Sequence, residues 1–157
     1  MSGLAEEVLA ACRTRGLTLV TAESCTGGMV AAALTDIAGS SAVVLGGFVT
    51  YSNGMKMRLL GVREATLAAY GAVSEPTARE MVLGAMAVSG ADLALSITGI
   101  AGPGGTDTKP EGMVCFGAVL KGRAPVVETV QFGALGRGAV RSASRDHALN
   151  MALLLLK

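Results

Sequence analysis

Apolar positions along this chain switch between a helical and a strand-like period, and the switches predict its elements. Leu4, Val8, Leu9 and Cys12 fall three or four apart with Gly16 as a stop, which predicts an amphipathic helix over 3–15. LTLVTAE, 17–23, has strand character. TGGMVAAALTDIAGS then reads as an apolar helix closed by Gly39, and SAVVLGGFVTYSN as a β-branched strand over 42–51. From Met55 to Gly90 the period is helical again, broken at GAVSEPTARE, where Ser74 suits an N-cap with Pro76 in the first turn. ADLALSITG, 91–99, is a buried strand. The loop GIAGPGGTDTKPEG leads to MVCFGAVL and, after the turn KGRA, to APVVETVQF, a pair spaced as a hairpin. A last helix over 137–156 carries Val140, Ala143, Leu149 and Leu153 among its apolar positions. Together they predict an α/β three-layer sandwich: a mixed, largely parallel central sheet with helices on both faces.

Composition narrows the picture. The 157 residues suit one domain with one core. Apolar residues make up 51% but aromatic ones only 3%, so small aliphatic side chains must pack closely. The 22 glycines lie beside apolar runs, as tight turns around a core require. A net charge of +1 without a basic block gives nucleic acid no footprint. Cys12, Cys25 and Cys115 are odd in number and lack CxxC spacing, and His147 is the sole histidine, so neither a disulfide framework nor a metal site is expected. Glu6 and Glu7 interrupt what a signal peptide would keep apolar, and the densest apolar run, MALLLL, is too short to cross a membrane. A soluble protein of the reducing cytoplasm is expected, and apolar helical positions on a small domain suggest a homo-oligomer, a dimer.

The candidate chemistry lies at three strand ends. The first runs into ESCTGG and a helix, where exposed amides favour negative charge; Ser24 or Thr26 is there either a helix cap or part of a site with Gly27. The second ends at TYSNGMK, with Tyr51, Asn53 and Lys56, the lysine being either solvated or functional. The third ends at SITGIAGPGG, where Thr98, Gly99, Ala101 and Gly102 let backbone approach a ligand, although no phosphate-loop spacing is present. Ligands of open α/β sheets lie outside the carboxyl ends of the strands, so three such ends converging outweigh any one of them. With one histidine, a Ser-His-Asp triad is a poor fit. A lysine of depressed pKa can instead deprotonate a serine, which makes Ser24 a candidate nucleophile, Lys56 its base and the amides of the first helical turn the oxyanion donors. Cys25 is the rival nucleophile.

Three stretches carry a resemblance over nearly the whole chain: residues 21–62, beginning TAESCTGGMV and containing TYSNGMK; GAVSEPTARE; and ALSITGIAGPGGTDTKPEGMV. In order and spacing they resemble the C-terminal domain of the CinA (competence/damage-inducible) family, whose stand-alone members include nicotinamide-nucleotide amidohydrolases. The resemblance implies hydrolysis of the carboxamide of nicotinamide mononucleotide to the acid with release of ammonia, in pyridine nucleotide recycling, without a cofactor or metal. It implies Ser24 as nucleophile and Lys56 as base, with Tyr51 and Thr98 lining the site. Larger members carry a further N-terminal domain, whose activities are not expected here. Glu111 and Met113 depart from the residues expected in KPEGMV, which bears on selectivity at that loop. The partner implied is a small nucleotide; Arg137 and Arg141, four apart on the last helix, are candidates for its phosphate. The alternative is a module that binds the nucleotide without turning it over.

Overall fold

A computed structural model describes residues 3–157. The elements follow as α1 (Gly3–Arg15), β1 (Leu19–Glu23), α2 (Met29–Thr35), β2 (Val44–Val49), α3 (Asn53–Leu60), α4 (Glu64–Tyr70), α5 (Glu75–Ser89), β3 (Leu93–Gly99), β4 (Met113–Leu120), β5 (Val126–Gln131) and α6 (Arg137–Leu156). The strands form one sheet in the order β2-β1-β3-β4-β5. β1 runs parallel to both β2 and β3, whereas β4 and β5 are added antiparallel as the expected hairpin.

Alternation along the central strands feeds two apolar layers. Leu19, Leu93, Leu95, Ile97, Phe116 and Ala118 face α1, α2 and α6. Val20, Ala22, Ala94 and Val119 face α5 and the α3 segment behind it. Being covered on both faces, β1 and β3 read as nearly unbroken buried runs. β2, at the sheet edge, is mostly exposed. Small residues allow close contact between layers: a Cβ on Gly84 of α5 would stand 1.8 Å from the Leu60 carbonyl of α3. Among the described residues no helix is long and apolar enough to cross a membrane.

Helical boundaries differ from expectation around α2 and between Met55 and Gly90; α2 ends at Thr35, and Gly39, expected to close it, instead precedes a short 3-10 turn over Ser40–Ala42. The helix expected from Thr26 begins at Met29, because Gly27 and Gly28 take left-handed conformations (φ 60° and 108°) that build a separate turn first. Between Met55 and Gly90 there are three helices: Gly61 (φ 69°) caps α3, and Ser74 caps α5 as expected, accepting from the Thr77 amide with Pro76 in the first turn.

Candidate active site

β1 and β2 are neighbouring parallel strands whose following helices leave to opposite faces, α2 toward α6 and α3 toward α5. The strand order reverses between β1 and β3, and such a switch point opens a crevice at the carboxyl ends of the strands. Ser24 follows β1 directly, its amide held by the Ile97 carbonyl of β3 at 2.9 Å. Lys56 lies one turn into α3, whose start is fixed by Ser52 accepting from the Met55 amide. Helical side chains lean toward the amino terminus, and the lysine accordingly reaches back to the residues before its helix.

There its Nζ lies 3.0 Å from Ser24 Oγ, 2.8 Å from the Thr50 carbonyl and 3.1 Å from the Tyr51 carbonyl. The side chain is 1% exposed. Burial disfavours the ammonium form and brings the pKa down to about 8. In the neutral amine, two N–H bonds satisfy the two carbonyls and the lone pair is left toward the serine hydroxyl. This is the arrangement a general base needs.

The pair opens into a cavity of about 340 Å³. Its walls are the turn after β1, Tyr51, the connection between α4 and α5, the β3–β4 loop from Gly99 to Gly104, and Arg137. Thr98, Gly99, Ala101 and Gly102 are among the residues that line the cavity. Thr98 Oγ1 donates to the Ala72 carbonyl at 2.9 Å. Arg137 bridges two walls, donating to the Gly102 carbonyl at 2.8 Å and to the Tyr51 hydroxyl at 2.9 Å. A smaller cavity of about 190 Å³ between α1, α2 and α6 contains no nucleophile.

Four expected residues lie off the cavity. Thr26 is fully buried and donates to Glu23 at 2.7 Å, so it neither caps α2 nor faces a ligand. Gly27 backs onto Arg141, and Asn53 is exposed at the start of α3. Arg141 donates to the Cys25 and Thr26 carbonyls at 3.0 and 3.2 Å, which directs its guanidinium behind the nucleophile's turn. The two arginines share α6 but have separate tasks.

The expected oxyanion donors also change. Glu23, 1% exposed, accepts from the Val30 and Ala31 amides at 2.9 and 3.0 Å, so those first-turn amides of α2 are occupied by a carboxylate from their own chain. Sequence reasoning gave Glu23 no role, although a carboxylate ending a mostly apolar strand was its signal. Cys25 lines the cavity, but burial pushes its thiol up to about 11, far from an available thiolate. His147 sits against Glu128 and Phe116, away from Ser24, which removes the triad.

The fold and site thus define an α/β domain with a buried serine–lysine pair at the carboxyl edge of its parallel strands. The chain matches the CinA C-terminal domain model over residues 1–156 and belongs to that family. It is 51% identical over 147 residues to the nicotinamide-nucleotide amidohydrolase PncC of Escherichia coli (strain K12), covering 93% of this chain and 88% of that protein. A CinA-like protein of Chloroherpeton thalassium is 59% identical over 112 residues, 71% of this chain but 27% of that longer protein. Among solved structures, the competence/damage inducible protein CihA from Agrobacterium tumefaciens superposes with a TM-score of 0.95 at 45% identity, over 99% of this chain and 94% of that one.

Proposed function

We propose that this chain is a nicotinamide-nucleotide amidohydrolase that deamidates nicotinamide mononucleotide through an acyl-enzyme on Ser24. The observation that carries the reading is the contact between Lys56 Nζ and Ser24 Oγ at 3.0 Å inside the cavity. Ser24 Oγ attacks the carboxamide carbon while neutral Lys56 takes its proton. The tetrahedral intermediate then collapses, Lys56 returns the proton to the departing nitrogen, and ammonia leaves. Water, deprotonated by the same lysine, cleaves the ester and releases the acid. With the α2 amides held by Glu23, the oxyanion falls to the backbone of the turn after Ser24 and of the Gly99–Gly102 wall, which border the cavity.

For the phosphate, Arg137 is the better placed arginine, since it stands on the cavity and Arg141 is directed behind it. Arg137→Ala is expected to raise KM for the mononucleotide about tenfold while hardly affecting the phosphate-free riboside; an equal effect on both would remove Arg137 from this role. The three cysteines are free and buried, which suits a reducing cytoplasm. Self-association is supported by the outer edge of β2, where Leu45 and Val49 are exposed, and sedimentation of a monomer at micromolar concentration would reject it.

The reaction is tested by incubating the purified chain with nicotinamide mononucleotide and measuring ammonia and the nucleotide acid. Equal amounts of both are expected. Binding without either product would assign the cavity to a ligand-binding module.

A further inference from the structure

The connection between α4 and α5 is held by side chains at every carbonyl from Tyr70 to Val73. Gly71 accepts from Ser74 Oγ at 2.9 Å and Thr77 Oγ1 at 2.7 Å, both local. Ala72 accepts from Thr98 at the end of β3. Tyr70 and Val73 both accept from Lys109 Nζ, at 2.6 and 2.5 Å, across more than 30 positions of sequence. Tyr70 ends α4, so the ammonium also meets the negative end of that helix.

Ala72 and Val73 form one wall of the cavity, and Gly99 to Gly104 form another. Lys109 belongs to the same loop as the second wall. That loop is closed on itself: the Thr106 amide donates to the Lys109 carbonyl at 2.8 Å, the Gly104 amide to Glu111 at 2.6 Å, and the Gly112 amide to the Ile100 carbonyl at 2.7 Å. These bonds make it a compact unit. Thr98 ties its root to the α4–α5 wall, and Lys109 ties its far end.

We propose that Lys109 is a positioning residue that latches the β3–β4 loop to the α4–α5 connection and so sets the width of the slot in which the substrate's flat ring is held. The inference rests on the proposed amidase reading for the identity of the ring, but the latch itself does not. Ser24 and Lys56 stand on other elements, so releasing the latch acts on substrate binding before it acts on the proton transfer.

The test compares wild type, Lys109→Met and Lys109→Arg in two assays. In amide hydrogen exchange, Lys109→Met is expected to speed exchange at least tenfold in residues 70–73 and 99–112 while β1, β4 and α6 stay as in wild type, and Lys109→Arg, which can still donate to two carbonyls, is expected to restore protection. In ammonia release from nicotinamide mononucleotide, Lys109→Met is expected to raise KM about tenfold with kcat within threefold and the pH profile unmoved, and Lys109→Arg to recover most of the loss. Unchanged exchange, or exchange accelerated throughout the chain, overturns the latch. Accelerated exchange with unchanged KM overturns its role in the slot. If wild type releases no ammonia, the amidase reading fails and the exchange result alone decides the latch. Should Lys109→Met not fold, Lys109→Gln, too short to span both carbonyls, is read in its place with the same expectations.

Discussion

Lys56 shows how far a single residue can be read before its surroundings are known. Its spacing from the second strand suggested a base near Ser24, but whether it was solvated depended on Thr50 and Tyr51 offering their carbonyls, which no pattern of side chains encodes. Those carbonyls let an amine remain buried and direct its third position at the serine. Ser24→Ala is accordingly expected to lower ammonia release on the order of 10³-fold or more with the melting temperature unchanged, whereas Cys25→Ala stays within a few-fold of wild type. Activity is expected to rise with pH through about 8 as Lys56 loses its proton, falling roughly tenfold per unit below that value. A kcat profile flat from pH 6 to 9 would contradict it. The same depressed pKa bears on stability. Unfolding returns the lysine to its ordinary value of 10.5, so between about 8 and 10.5 the unfolded chain binds more protons than the folded one. Stability relative to Lys56→Met is therefore expected to rise with pH across that window, as thermal melts of both proteins would show.

Secondary elements place these residues, and here the sequence was legible in its interiors more than in its ends. The last helix and the fourth strand fall where periodicity put them, but α2 starts three residues late because two glycines and the Glu23 carboxylate, not a capping hydroxyl, organise its first turn. The carboxylate at the end of its strand was visible, but nothing local says that it reaches amides seven and eight residues ahead. Glu23→Gln brings an N–H₂ group into a site built from donors, and is expected to cost about 2 kcal/mol of stability and to lower kcat with little change in KM, because the turn it braces carries Ser24. Equal thermal melts for the two proteins would show that the carboxylate does not hold α2. Gly84 tests the opposite face. Alanine there drives a methyl into the Leu60 carbonyl, so α3 must move off α5 and take Lys56 with it. A loss of about 2 kcal/mol or more, accompanied by reduced kcat, is expected from denaturant melts and initial rates.

At the scale of the molecule, the parallel centre and the terminal hairpin were readable because the central strands are long, mostly apolar runs and a short turn joins β4 to β5. The convergence of three strand ends followed from that topology. The loop between β3 and β4 was not readable beyond its glycines, since its shape depends on Lys109 meeting carbonyls of the α4–α5 connection and on Glu111 reaching back across the loop to the Gly104 amide. The separate tasks of Arg137 and Arg141 were hidden for the same reason: helical spacing puts them on one face, and only the turn after β1 decides which carbonyls the second one meets. The central claim is that Ser24 and Lys56 act together as nucleophile and base. Its most direct test is ammonia release from nicotinamide mononucleotide by wild type, Ser24→Ala and Lys56→Ala at pH 8.5. Release by wild type that disappears in both variants, each still folded, is the predicted result; release that persists in either one would contradict the pair.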